Sequence, residues 1–111
     1  MTEPTPTTVL TVLTTADTPD LADALARGAV EARVAACAQI NGPVTSVYRW
    51  EGAVETAREW QVLLKTTDRR YADLESWLTE AHPYGTPEII ATPVVRGSAA
   101  YLSWVAEETA P

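Results

Sequence analysis

The chain has 111 residues, which suits one domain with one hydrophobic core and leaves no room for two. Its 15 acidic and 8 basic residues give a formal net charge of -7, which argues against binding to nucleic acid or to anionic membranes. A domain of this size buries only about 65% of the surface that its unfolded chain exposes, so oligomerisation is a plausible source of further burial.

Cysteine content and hydropathy indicate the compartment. Cys37 is the only cysteine, which excludes an intramolecular disulfide and a cysteine-rich zinc site and favours a reducing environment. No run approaches the roughly 18 apolar residues of a membrane span, and the N-terminal residues lack the pattern of a signal peptide. We therefore predict a cytoplasmic protein with no membrane segment.

The first half of the chain predicts a strand, a helix and a strand. Residues 1–7 mix Thr, Pro and Glu without periodicity and predict a disordered lead-in to a single domain of residues 8–111. The β-branched run Thr8–Thr14 predicts a buried strand, and apolar residues at helical spacing predict a helix over Pro19–Ala32. Small apolar residues throughout Val34–Ile40 predict a strand covered on both faces.

The central region predicts a long hairpin. Asn41–Pro43 should interrupt or bend the second strand, because proline removes a hydrogen-bond donor from the ladder. Strand character resumes over Val44–Trp50 and again over Thr56–Thr66, on either side of a turn at Glu51–Ala53. The period of two places Tyr48 on the same face as Trp50.

The second half predicts a helix, a strand and a final helix. The helix begins at Thr67-Asp68 and ends at His82-Pro83. The strand covers Glu88–Val95, with Pro93 marking an edge or a bulge, and Ser98 is the predicted N-cap of the last helix. Three residues are expected on the inner side of that helix: Tyr101, Trp104 and Val105.

These elements predict an α+β, ferredoxin-like fold. The order is βαβ-βαβ followed by a C-terminal helix, and the segments VLTTADTPDLADAL and LLKTTDRRYADLESWL form a weak internal repeat. Two such halves pack into one antiparallel sheet with both helices on one face and a long central hairpin. Because apolar residues occur on both sides of several strands, we expect further copies of the chain to cover the other face.

The sequence shows no catalytic constellation. Its serines lack the context of a nucleophile, and the loop after the first strand, Thr15–Thr18, is acidic where a phosphate cradle would need glycine and a cation. We therefore predict a protein that is not an enzyme and has no catalytic residue.

His82 is the only histidine and the main candidate for a metal ligand. A neutral imidazole nitrogen binds Cu(II) or Zn(II), and Glu88 or Glu80 could add a carboxylate oxygen. One histidine falls short of the three or four ligands of a tight site unless symmetry brings several chains together. The alternative is a structural histidine that bonds to the last carbonyls of its helix.

The hairpin carries candidates for a second kind of site. Tyr48 and Trp50 could line a small-molecule pocket, although aromatic residues on long hairpins more often anchor interfaces. Lys65, which lies among apolar residues, should need a carboxylate partner, either Glu59 or Glu51 of another copy. An ion pair between subunits and a ligand-binding lysine are both open interpretations.

Three segments closely resemble the CutA divalent-cation tolerance family. They read VAACAQINGPVTSVYRWEG, WQVLLKT and HPYGTPEIIATPVVRGSAAYLSW, and the resemblance spans Val9 to Val105. It implies a ferredoxin-like subunit in a tight trimer that is built like the PII signalling proteins, with the long hairpins joining the three sheets. It also implies a role in divalent-cation tolerance and the binding of copper.

The resemblance carries over to individual residues. His82 matches the histidine before Pro-Tyr that has been put forward as a copper ligand in this family. Some members have a cysteine at the end of the first strand, where this chain reads Leu13–Thr15, so the missing thiolate favours Cu(II) or Zn(II) over Cu(I). We predict His82 and Glu88 as metal ligands. Six further candidates are expected at the cleft between subunits: Tyr48, Trp50, Glu51, Glu59, Lys65 and Tyr84.

The predicted function is a non-enzymatic, trimeric divalent-cation tolerance protein that binds copper or another divalent metal and needs no organic cofactor. The alternative is a PII-like sensor that binds a small molecule in the clefts between subunits and signals to an unknown protein partner. A scaffold without any ligand is a third hypothesis.

Overall fold

The computed structural model describes residues 7–111, so all of the predicted lead-in except Thr7 lies outside the described residues. The elements occur in the predicted order and with three helices. They are β1 (Val9–Ala16), α1 (Pro19–Glu31), β2 (Cys37–Trp50), β3 (Ala53–Thr67), α2 (Tyr71–Ala81), β4 (Ile90–Pro93) and α3 (Ala99–Glu108).

The strands form one antiparallel sheet in the order β2-β3-β1-β4. Val12 of β1 and Leu64 of β3 are fully buried and belong to one cluster with Leu25 of α1 and with Leu74 and Leu78 of α2. Both helices therefore pack on the same face of the sheet, which confirms the predicted ferredoxin-like arrangement. Across residues 7–111, no helix has the length and apolar character that crossing a bilayer requires.

The C-terminal helix covers one end of the opposite face. Val105 of α3 is fully buried against Val9, whose side chain points away from α1 and α2 because strand residues alternate between faces. Tyr101 and Trp104, which were expected on the inner side, are instead 43% and 40% exposed in the single chain. The inward stripe consists of Leu102, Val105 and Thr109, at the spacing of a helix.

The predicted boundaries of the second and last strands are wrong. The second strand begins at Cys37, because Val34 and Ala35 lie in the connection after α1, where both amides donate to the carbonyl of Ala29. These two residues are apolar because they are buried in that connection, not because they belong to a ladder. The last strand pairs only over Ile90–Pro93, which is shorter than the predicted Glu88–Val95.

The predicted bend in β2 is a β-bulge. Asn41 pairs with Gln61 and Val44 pairs with Glu59, so two residues of β2 oppose a single residue of β3. The Gly42–Pro43 peptide at this position is cis. A Cβ on Gly42 would lie 2.7 Å from Cδ1 of Trp60, so only glycine fits against that side chain.

Beyond the bulge, the hairpin extends past the core. Its turn is Glu51–Gly52, where φ is 49° and 80°, as in the two-residue turns that match the twist of a hairpin. None of residues 44–58 is buried. Three large apolar residues are more than half exposed, Val47 (67%), Trp50 (55%) and Val54 (64%), so the hairpin offers an uncovered apolar surface in the single chain.

Candidate functional site

A cleft of about 770 Å³ lies between the central hairpin, the end of β1 and the loop that connects α2 with β4. Thr15 and Asp17 line it from β1 and the residues just after it, and Glu59 lines it from β3. Tyr84 and Glu88 line it from the α2–β4 loop. Three separate segments of the chain thus bring polar groups to one concave surface, as is typical of ligand sites.

The lining of this cleft is acidic. Asp17, Glu59 and Glu88 all border it, and within residues 7–111 its lining includes no lysine or arginine. Carboxylates that border a concave surface create a negative potential there, which attracts cations and repels anions. The cleft is therefore suited to a positively charged ligand.

Aromatic side chains form part of the same wall. Tyr48 and Trp50 of β2 line the cleft and are 44% and 55% exposed, and Tyr84 lines it from the opposite loop. The bulge at Gly42 precedes Tyr48 and Trp50 in β2, so it sets which residues of the hairpin stand opposite Glu59 and the rest of β3.

His82 directly follows α2 and does not line the cleft, although it packs against Tyr84, which does. Its amide donates to the carbonyl of Leu78, and its side chain is only 6% exposed. Nε2 lies 2.8 Å from the carbonyl oxygen of Thr15 and 3.3 Å from the hydroxyl of Thr14. Because a carbonyl oxygen can only accept, Nε2 carries the proton in the neutral ring and the lone pair is on Nδ1. Within residues 7–111, Nδ1 is buried and has no hydrogen-bond partner.

Tyr84 joins His82 to the cleft. The two rings pack with their centroids 4.3 Å apart and a 49° angle between their planes. Burial raises the pKa of Tyr84 to about 12, and the charge of Asp17 and the hydrogen bond to its side chain contribute to the increase, against an opposing contribution from its backbone. The Tyr84 hydroxyl therefore stays protonated at neutral pH, next to one of the cleft carboxylates.

Burial lowers the pKa of His82 below its usual value of 6.5, against opposing contributions from the Thr15 carbonyl and the carboxylates of Asp17 and Glu59. The unfolded chain therefore binds a proton more readily than the folded chain. We expect the free energy of unfolding to be highest above about pH 6.5 and to fall as the pH drops towards the lowered pKa of the folded state.

Chemical denaturation between pH 7 and pH 5, at one fixed protein concentration, tests this expectation. The His82→Gln variant should lack this part of the pH dependence, and since the chain has a single histidine, the difference between the two profiles belongs to His82. Parallel profiles for the two proteins would contradict a lowered pKa.

The structure brings most of the predicted site residues to one place. Five of them line the cleft: Tyr48, Trp50, Glu59, Tyr84 and Glu88. Glu51 lies in the hairpin turn and Lys65 lies on β3, and neither lines the cleft. The Lys65 ammonium donates to the amide oxygen of Gln39 at 3.0 Å, so its partner in this chain is an amide rather than the expected carboxylate.

Sequence reasoning missed Asp17 as a residue of this site. Asp17 directly follows β1, and the pairing of Ala16 with Trp60 brings this end of β1 next to Glu59. The acidic character of the loop was visible in the sequence, but its proximity to Glu59 depends on strand register. Among residues 7–111, no three His, Cys, Asp or Glu side chains form a group that could hold one metal ion.

Comparison with known proteins identifies the family. The sequence model of the CutA1 divalent ion tolerance protein matches residues 10–108. A divalent-cation tolerance protein CutA from Thermus thermophilus is 40% identical over 98 residues, covering 88% of this chain and 95% of the relative. A protein of the same description from Escherichia coli O45:K1 is 41% identical over 99 residues, covering 89% of this chain and 88% of the relative.

Solved structures of CutA proteins have the same fold as this chain. The divalent cation tolerance protein Cut A1 from Thermus thermophilus superposes with a TM-score of 0.90 at 38% identity, covering 92% of this chain and 99% of the other. CutA1 from Oryza sativa also superposes with a TM-score of 0.90, at 31% identity. The superposition covers 93% of this chain and 94% of the rice protein. The family resemblance seen in the sequence is confirmed: this chain belongs to the CutA1 divalent ion tolerance family.

Proposed function

We propose that this protein is a non-enzymatic divalent-cation tolerance protein that binds a divalent metal ion, with Cu(II) as the leading candidate, in the acidic cleft. The observation that carries the proposal is the set of three carboxylates, Asp17, Glu59 and Glu88, that line one cleft without a basic residue in the described lining. The relatives from Thermus thermophilus and Escherichia coli are described as divalent-cation tolerance proteins, which supports it.

The proposed ligands are carboxylate oxygens and one imidazole nitrogen. Glu88 supplies oxygens from the α2–β4 loop and Glu59 supplies them from β3. His82 supplies the nitrogen through Nδ1, whose buried lone pair has no hydrogen-bond partner in the described part of the chain. Binding through Nδ1 requires the side chain of Tyr84, which packs on the imidazole and also lines the cleft, to move aside.

Calorimetric titration with Cu(II) tests these ligands. We expect micromolar or weaker affinity for the unmodified protein, which falls below about pH 6 as imidazole protonates and loses its lone pair. Glu59→Gln keeps the size of the side chain and removes its charge, and it should weaken binding about 10-fold or more. Glu108→Gln, on an exposed position of α3, is the matched control and should leave the affinity unchanged.

The outcomes separate the two kinds of ligand. Unchanged Cu(II) affinity in both Glu59→Gln and Glu88→Gln would remove the proposed site from the cleft. Unchanged affinity in His82→Ala alone would eliminate the nitrogen ligand and leave a site made of oxygen atoms.

We propose a homotrimer as the functional form. Residues 7–111 of one chain do not bring three metal-ligating side chains together. We therefore propose that a neighbouring copy completes the coordination of the metal ion. The apolar residues Val47 and Val54, on the face of the hairpin opposite to Trp50, supply the surface for assembly together with the uncovered part of the sheet. Sedimentation at micromolar protein concentration should give the mass of three chains, and a stably folded single chain would overturn this proposal.

The proposed location is the cytoplasm, because the single thiol, Cys37, is unpaired. A solved relative from Archaeoglobus fulgidus, with a TM-score of 0.88 and 31% identity, is described as periplasmic. Fractionation of cells that produce the protein decides between the two locations. Recovery from the periplasmic fraction would contradict the proposal.

A second candidate function is a small-molecule sensor of the PII-like kind. It is favoured by the size of the cleft, about 770 Å³, which exceeds the space that a bare metal ion needs, and by the aromatic side chains Tyr48, Trp50 and Tyr84 in its wall.

A further inference from the structure

The cleft has features that ligation of a metal ion does not use. Aromatic rings contribute little to metal ligation, yet three of them, on Tyr48, Trp50 and Tyr84, line the same cavity as the carboxylates. Trp50 is 55% exposed and Tyr48 is 44% exposed, so their rings are accessible in the single chain. Aromatic faces attract organic cations through the ring quadrupole, and tryptophan does so most strongly.

The negative charges of the cleft come from separate parts of the chain. Asp17 follows β1, Glu59 lies on β3 and Glu88 lies in the α2–β4 loop. Within residues 7–111 these carboxylates do not combine into a group of three around one point. Charges distributed along a cavity of about 770 Å³ complement a ligand whose positive charges are also distributed.

The geometry points to a linear organic polycation, with ammonium groups separated by methylene segments, as a ligand of this cleft. Its ammonium groups pair with the carboxylates of Asp17, Glu59 and Glu88, and an ammonium group with its adjoining methylenes lies on the rings of Tyr48 and Trp50. The inference rests on the proposal that this cleft is the ligand site of the protein. An anionic ligand is disfavoured because the described lining includes no lysine or arginine.

Calorimetric titrations with spermidine, 1,4-diaminobutane, n-butylamine and Mg²⁺ at physiological ionic strength test the inference. Spermidine should bind at least about 10-fold more tightly than n-butylamine, because it engages more than one carboxylate. Mg²⁺ at the same concentration should not produce the binding heat that spermidine produces. Equal binding of spermidine, n-butylamine and Mg²⁺ would show non-specific attraction to an acidic protein and would overturn the inference.

Two ring variants test the aromatic contribution. Trp50→Leu removes the ring and keeps every carboxylate, and it should weaken spermidine binding by about 3- to 10-fold. Tyr48→Leu provides an independent test if Trp50→Leu alters the sedimentation of the protein. Spermidine affinity that is unchanged in both variants would overturn the inference, whereas Glu108→Gln should behave like the unmodified protein.

Parallel titrations with Cu(II) separate this inference from the proposed function. Cu(II) binding without spermidine binding overturns the inference of an organic polycation ligand and is compatible with the proposed metal site. Spermidine binding without Cu(II) binding supports the polycation site and overturns the proposal that the cleft binds a metal ion. In Trp50→Leu, the loss of spermidine affinity should exceed the loss of Cu(II) affinity, because a ring contributes to one ligand and carboxylates contribute to both.

Discussion

Gly42→Ala is expected to lower the free energy of unfolding by about 1–3 kcal/mol, which is the usual cost of forcing extra volume into a packed site. The added Cβ would lie 2.7 Å from Cδ1 of Trp60 and 3.0 Å from its Cα. Rotation of the indole relieves only the first contact, because Cα belongs to the backbone of β3. Either the bulge moves away from β3, or Trp60, which packs against the main core, moves with its strand.

Gly85→Ala is the matched control for this substitution. A Cβ on Gly85 meets no atom within 4 Å, so its free energy of unfolding should stay within about 0.5 kcal/mol of the unmodified protein. Chemical denaturation of both variants at one protein concentration provides the comparison. Equal stabilities of the Gly42 and Gly85 variants would show that the contact between the bulge and Trp60 does not constrain the hairpin.

Leu64→Ala should have the largest effect on stability, a loss of about 2–5 kcal/mol per subunit. The Leu64 side chain is fully buried in the cluster that joins β3 with α1 and α2. Its removal exposes no new surface to water but leaves a cavity that neighbouring side chains fill only in part. The loss of unfolding free energy should be seen at every protein concentration, because the whole cluster lies within one subunit.

Leu63→Ala removes the same atoms from the opposite face of the same strand. Leu63 is only partly buried in the single chain, on the face that the proposed trimer would cover. We expect this variant to reduce the fraction of trimer in sedimentation at low micromolar concentration, whereas Leu64→Ala should keep the trimer. A Leu64→Ala loss below about 1 kcal/mol would contradict the core assignment, and an unaffected Leu63→Ala trimer would contradict coverage of that face.

The order of elements could be predicted because each depends on a local signal. Helical spacing identifies α1, with Thr18 as its N-cap, and Ser98 is the N-cap of α3 as expected. The prolines and glycines mark the boundaries, including the bulge at Gly42 and the end of α2 at His82. Such signals are encoded within a few residues and need no knowledge of tertiary contacts.

The errors arise where burial comes from tertiary contacts. Val34 and Ala35 have the composition of a covered strand, but they are buried in the connection after α1. For α3, the predicted inner residues Tyr101 and Trp104 are 43% and 40% exposed in the single chain, whereas Leu102 and Val105 pack against the sheet. Apolar composition predicts burial better than it predicts the type of structure that is buried.

The candidate site was only partly visible from sequence for a similar reason. The hairpin residues Tyr48, Trp50 and Glu59 are predicted to border a cleft between subunits. In the single chain they line a cleft within one subunit, and their place in a cleft between subunits stays a prediction. His82 is predicted as a metal ligand, with a structural histidine bonded to the carbonyls of its own helix as the alternative. In the structure its Nε2 donates instead to the carbonyl of Thr15 on β1, 67 positions away. That contact depends on how α2 docks against the sheet, which local patterns do not encode.

Anomalous diffraction at the copper edge, from crystals of the protein equilibrated with Cu(II), tests the central claim most directly. The proposed function predicts a peak in the cleft, within coordination distance of the carboxylate oxygens of Glu59 or Glu88, in each copy of the trimer. A cleft without a peak at saturating Cu(II), with copper only at surface carboxylates such as Asp23 and Glu31, would contradict it.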